Sequence, residues 1–188
     1  MLDIAFGEQP EFIHALLDYS RRVATRYAYA LIECGGHSTS IGEPIAGPDL
    51  LSPKHYREYP WIHEKRMVDE LKKDGIILHN HICGNTARIV DDFIATGAQV
   101  LEVDHKTEPA MIKEAARHKT CLLGNIDTGL LQTGTPEEVY NATRRVVEIG
   151  KKLPAGFIFG PGCEMPPKAP IENLKHMTKA VEDFGWYD

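Results

Sequence analysis

The sequence predicts an α/β fold with a parallel sheet of about five strands, part of a (β/α) barrel. Two observations predict it. Short apolar runs alternate along the chain with longer segments of helical period. Strands separated by helices pair in parallel through right-handed crossovers. Residues able to do chemistry then follow directly after each apolar run: Glu43, His81 with Cys83, Asp104 with Lys106, Asn125 with Asp127, and Cys163. That places them at the carboxyl ends of the strands, where barrels and open α/β sheets build their sites. Five units are too few to close an eight-stranded barrel.

In chain order, residues 10–34 read as a helix, because Phe12, Leu16, Val23, Tyr27, Ala30 and Leu31 recur at three- and four-residue steps. Gly35 and Gly36 stop it. Residues 38–45 are a short β-like piece that contains Glu43. Ser52 and Pro53 then open a helix to about Lys73, with Ser as cap and Pro in the first position. Residues 76–83 form the next strand, and Asn85 or Thr86 caps a helix that runs to Gly97. Residues 99–104 are a strand, 108–118 a helix and 120–125 a strand. Thr135-Pro136-Glu137-Glu138 is a capping box opening a helix to about Lys151. A strand over 156–160 and a helix over 171–184 complete the chain. No repeat, low-complexity segment or linker divides it, so residues 1–188 read as a single domain.

Composition narrows the function. A hydrophobic content of 43% and a charged content of 26% are those of an ordinary globular protein. A net charge of −6 with no basic run argues against nucleic-acid binding. No stretch approaches the roughly 18 apolar residues that span a bilayer. The first ten residues lack the basic start of a signal peptide, so a cytoplasmic location with reduced thiols is expected. Of the four cysteines, Cys34 and Cys121 are assigned to packing, since free cysteine is commonly buried.

The other two point to a metal. In Ile76-Ile77-Leu78-His79-Asn80-His81-Ile82-Cys83, the residues His79, His81 and Cys83 fall at alternate positions of one strand and share a face. His-x-Cys alone is a weak signal, and a hydrogen-bonded core histidine is the plainer reading of either His. Cys163, at the mouth of another strand, changes the balance. One imidazole and two thiolates suit Zn²⁺, and three protein ligands leave a position open for chemistry.

Several segments together resemble the uroporphyrinogen decarboxylase superfamily: His81-Ile82-Cys83-Gly84-Asn85, Gly124-Asn125-Ile126-Asp127, Gly134 to Glu138, Gly160-Pro161-Gly162-Cys163 and Pro170 to Leu174. The two cysteines resemble one branch of it, the zinc-dependent methyltransferases that take a methyl group from a corrinoid protein, such as the methylcobamide:coenzyme M enzymes. The resemblance implies a (β/α)₈ TIM barrel with zinc held by His81, Cys83 and Cys163. It implies an acidic residue near the metal, Asp104 ahead of Glu102, as a displaceable ligand or a partner of His81. It also implies methylcobalamin or another methylcorrinoid as donor, a corrinoid protein as partner, and a small thiol or a tetrahydrofolate-type compound as acceptor. Asp104 and Lys106 are the candidate catalytic residues, with Lys106 placed to hold an anionic group of the acceptor. Glu43 and Asn125 are the candidates for contacting the bound cofactor. Three rivals remain: uroporphyrinogen decarboxylase chemistry, which needs no metal; a zinc hydrolase using metal-bound water, which lacks an obvious general base; and a partial barrel that binds a corrinoid protein or another subunit without turnover. The family's first three strands have no counterpart in this sequence. The exposed sheet edge near residue 40 is therefore expected to be covered by self-association.

Overall fold

The computed structural model describes residues 9–108 and 120–187. Its strands are β1 Ser38–Gly42, β2 Ile77–Ile82, β3 Val100–Val103, β4 Cys121–Ile126 and β5 Phe157–Pro161. They form one parallel sheet whose neighbours follow the same order. The fold is α/β, a partial barrel of the (β/α) type. The helices are α1 Pro10–Glu33, α2 Pro53–Glu58, α3 Pro60–Lys73, α4 Val90–Ala95, α5 Thr128–Thr133, α6 Pro136–Gly150 and α7 Ile171–Phe184. The helix expected over 108–118 falls almost wholly outside the described residues.

Three departures from expectation have local causes. The helix expected from Ser52 to Lys73 is two helices, broken at Tyr59, where φ is −113° and ψ −81°. Pro60 has no N–H to continue the ladder and forces the residue before it out of helical geometry. The segment after β4 contains α5, which the sequence reading left without an element; Asp127 caps it by accepting from the Gly129 N–H at 2.7 Å. The helix after β2 also begins differently, as a 3₁₀ turn over Thr86–Arg88 capped by Asn85. The capping box at Thr135 is present in full.

The two faces of the sheet differ. Leu78, Asn80 and Ile82 of β2 are wholly buried against the helices, in a core with Tyr56, Met67, Leu71 and Phe93. A smaller cluster of Ile126, Leu131, Val139 and Ala142 lies beneath α5 and α6. The opposite face carries Ile77 at 42% and Ile158 at 43% exposure, along with the half-buried His79, His81 and Glu102. Parallel sheets are usually covered on both faces, and in a closed barrel this second face is the interior. Among the described residues no helix is long and apolar enough to cross a membrane.

One charged group lies inside the helical core. Glu64 of α3 is 3% exposed and accepts hydrogen bonds from the Tyr56 hydroxyl at 2.8 Å and from Asn80 Nδ2 at 3.0 Å. Burial pushes its carboxyl from the ordinary 4.5 up to about 8, and the nearby Glu43 carboxyl adds to the rise. An acid whose pKa is raised on folding binds its proton more tightly in the folded state. Its contribution to stability is therefore whole below 4.5 and is lost progressively as pH rises to about 8. Glu64→Gln keeps an oxygen that accepts from Tyr56 and Asn80 but cannot ionise. Its stability relative to wild type is expected to increase from pH 5 to pH 8.5 in urea unfolding; parallel curves at the two pH values would refute this placement of Glu64.

Candidate metal centre

The centre is assembled from the ends of two strands that are not neighbours. His81 lies in β2, and Cys83 follows that strand directly. Cys163 follows β5 after Pro161 and Gly162. Three glycines bring the loops together. A Cβ on Gly162 would sit 2.5 Å from the His105 backbone nitrogen, so only glycine lets the loop after β5 rest on the loop after β3. The Gly162 N–H also donates to the Ile126 carbonyl at 2.9 Å. A Cβ on Gly47 would collide with the Cys83 carbonyl. Gly84 has φ of +83°, a conformation that favours glycine, and turns its N–H to Asp104 Oδ2 at 2.8 Å.

The resulting geometry fits a metal. His81 Nε2 lies 3.3 Å from Cys83 Sγ, and Cys83 Sγ lies 3.7 Å from Cys163 Sγ. Their ligand atoms all fall within 4.8 Å of one another, the one such His/Cys/Asp/Glu group among the described residues. The sulfur separation is far too long for a disulfide, which needs about 2.05 Å. Two thiolates bound tetrahedrally at about 2.3 Å to one zinc ion would lie about 3.8 Å apart, close to what is seen. His81 Nδ1 donates to the Glu102 carbonyl at 3.1 Å. A carbonyl only accepts, so the proton sits on Nδ1 and the Nε2 lone pair faces the sulfurs. Burial, reinforced by the hydrogen bond with Cys163, pushes the Cys83 thiol up to about 11. The neighbouring Asp104 and Glu102 contribute to that rise. This donor set stabilises a thiolate only when a cation accompanies it.

The structure brings together His81, Cys83 and Cys163 and places the other expected residues elsewhere. Asp104 leaves the sheet after β3 and uses its carboxylate to tie loops, accepting from Gly84 N–H and from Lys106 N–H at 3.0 Å, while lying near enough to Cys83 to act on its thiol. Glu102, ranked behind it, is the residue beside His81, with Oε1 3.7 Å from Nδ1. Lys106 is half exposed and pairs with Asp49 at 3.1 Å, a partner that sequence reasoning missed. Asp49 also packs on Gly84, so the pair sits at the rim of the centre. Asn125 is buried and donates to the Thr107 carbonyl at 2.7 Å and the Asp104 carbonyl at 3.3 Å, a loop tie with no free amide hydrogen directed at the metal ligands. Glu43 is a correction. It lines a cavity with His63 and Glu64 on the helical side, because it shares the face of Ile41 and not that of Gly42, which pairs with His81. His79 shares the face of His81 but is not part of the metal-holding group. His105 is partly buried and bridges Asp104 at 2.9 Å and Asp127 at 3.6 Å. Cys34, expected to be packed, is exposed at the end of α1, whereas Cys121 is half-buried.

Fold and site together define a barrel-type protein of the uroporphyrinogen decarboxylase class, and the sequence matches the family model for uroporphyrinogen decarboxylase (URO-D) over residues 4–184. The chain belongs to that family. Within it, the chain is 30% identical over 179 residues to the methylcobamide:CoM methyltransferase MtbA of Methanosarcina acetivorans, covering 94% of this chain and 50% of that one. It is 28% identical over 185 residues to the uroporphyrinogen decarboxylase of Magnetococcus marinus, with 95% and 50% covered. A solved methyltransferase from Methanosarcina mazei superposes with a TM-score of 0.82 at 26% identity, over 91% of this chain and 49% of that one. The chain spans about half the length of the curated relatives it matches.

Zinc titration against a competing chelator tests the centre. Cys163→Ala is expected to abolish tight binding, and unchanged affinity would show that the centre does not bind the metal. Gly162→Ala keeps every ligand but displaces the loop, and a fall of about tenfold or more is expected.

Proposed function

We propose that this chain carries the metal-binding half of a zinc-dependent methyltransferase that moves a methyl group from a methylcorrinoid, carried by a corrinoid protein, to a small thiol such as coenzyme M or to a tetrahydrofolate-type acceptor. The observation that carries this reading is the paired sulfurs of Cys83 and Cys163 at 3.7 Å beside the bare Nε2 of His81. Relatives named methylcobamide:CoM methyltransferase support it. A free thiol with a pKa of about 8.5 is mostly protonated at neutral pH and is a weak nucleophile. Zinc, when bound, supplies the positive charge that keeps an acceptor sulfur deprotonated.

The chain's own residues do the rest. His81 is fixed in its ligating tautomer by the Glu102 carbonyl. Asp104 holds Gly84, and with it the turn that aims Cys83. Lys106 is raised above the ordinary lysine value by its hydrogen bond with Asp49, so it stays charged at the rim. There it offers a positive partner to an anionic acceptor tail once Asp49 is displaced.

Decarboxylase activity is the second reading, favoured by the relatives that carry that name. The two readings separate readily. Under the first, purified protein retains about one zinc per chain. It also demethylates methylcobalamin when a thiol is added, read by the corrinoid's change in absorbance, and Cys83→Ala abolishes the reaction. Zinc binding without transfer to coenzyme M, to other thiols or to tetrahydrofolate would refute the methyltransferase assignment. Metal-free protein that decarboxylates uroporphyrinogen would establish the second.

Among the described residues, the edge of β1 is unpaired and Ile77 and Ile158 are exposed on the second face of the sheet, which also supports self-association. Sedimentation is expected to show dimers or larger species, and a monomer across the accessible concentration range would remove this part of the proposal.

A further inference from the structure

A cavity of about 480 Å³ opens away from the thiols, between α1, α3 and the end of β1. Leu17, Ala24, Ile41 and Met67 give it apolar walls, and Glu43, His63 and Glu64 supply the polar groups. Two of those polar groups are deeply buried with an atom left over. Glu64 is 3% exposed; its Oε2 serves Tyr56 and Asn80, whereas Oε1 has no hydrogen-bond partner. His63 is 5% exposed; its Nε2 meets His14 Nδ1 at 3.2 Å, whereas its own Nδ1 has none. Buried polar atoms are nearly always paired, so the unpartnered Oε1 of Glu64, a residue of the cavity lining, indicates a missing partner. Burial holds the Glu43 carboxyl above the ordinary range, and Glu43 adds to the rise at Glu64. Both carboxyls therefore gain from a positive neighbour.

We propose that this cavity binds a small organic ammonium, whose N–H groups donate to Glu64 Oε1 and Glu43 and whose short apolar body rests on Leu17, Ala24, Ile41 and Met67. The volume is within the range of small-molecule sites, and an apolar pocket with a few convergent polar groups is their usual form. An anion is disfavoured because Glu43 and Glu64 repel it once ionised, whereas an ammonium favours their ionised forms. Arg21 also lines the cavity, but its guanidinium is engaged by Asp18 and by Glu70 at 2.8 Å. A metal ion is disfavoured because the ligand atoms of Glu43, His63 and Glu64 do not converge as those of the thiol centre do.

Isothermal titration of the full chain with n-butylammonium chloride tests the proposal. Saturable binding at one site is expected, with no heat from tetramethylammonium, which lacks N–H groups, or from n-butanol, which lacks charge. Glu64→Gln and Glu43→Gln are each expected to weaken binding by about tenfold or more, through loss of a charge-assisted hydrogen bond. If Glu64→Gln fails to fold by circular dichroism, Glu43→Gln alone decides. Cys163→Ala, which disables the thiol centre, is expected to leave n-butylammonium affinity unchanged, so this cavity and the metal are tested separately. No saturable binding, equal affinity in the folded variants, or equal binding of n-butanol would overturn the proposal. Glu64-dependent binding of manganese in place of the amine would also overturn it.

Discussion

The approach of two sulfurs constrains this fold. Cys83 and Cys163 follow strands that lie three places apart in the sheet. Flat strands spaced about 4.8 Å apart would leave their ends about 14 Å from each other. The sulfurs are 3.7 Å apart. Part of the difference is removed by the curl of a sheet bent toward a barrel, which draws the strand ends inward on the concave side. Loop packing removes the rest, at the contact of Gly162 with the Asp104–His105 backbone. Without either contribution there is no shared centre, only two unrelated thiols.

Electrostatics then sets the chemistry that such a centre favours. Cys83 and Cys163 share a hydrogen bond, and Glu102 and Asp104 lie close enough to oppose ionisation of Cys83. Lys106, at the rim, is occupied by Asp49. Such an assembly keeps the Cys83 thiol protonated unless a positive ion relieves it, and the imidazole already presents the correct nitrogen. The loop glycines and the Asp104 ties act before any ion arrives, because they fix where the ligands stand.

Much of this was legible in the residues. Helix and strand alternation located all five strands, and alternate spacing put His81 and Cys83 together. Errors arose where one residue decided the outcome. Pro60 sits in an otherwise continuous helical pattern, and its effect on Tyr59 was overlooked. Strand parity misplaced Glu43: Ser40 pairs with His79 and Gly42 with His81, so an odd-numbered neighbour belongs to the helical side. β3 ends at Val103, so Asp104 belongs to the following loop and Glu102 is the acidic residue on the strand beside His81. Glu64 lies among Lys65, Arg66 and Asp69 and resembles a solvated charge. Its position one helical turn before Met67 and Val68, and two before Leu71, was the available sign of its burial.

The same geometry would make the binding of an ion at this candidate centre and the curvature of the sheet a single equilibrium. The two thiol ligands are 80 residues apart in sequence, so the unfolded chain seldom brings them together. An ion that binds only the assembled set stabilises the curled sheet by mass action, and it acts as a clasp between the ends of β2 and β5. Conversely, anything that flattens the sheet draws the sulfurs apart and weakens the site. The helical face resists flattening through its buried core, but the concave face has Ile77 and Ile158 exposed and gives no packing support from that side. Whatever covers that concave face therefore tightens metal binding without touching a ligand, because it stabilises the curvature that His81, Cys83 and Cys163 require.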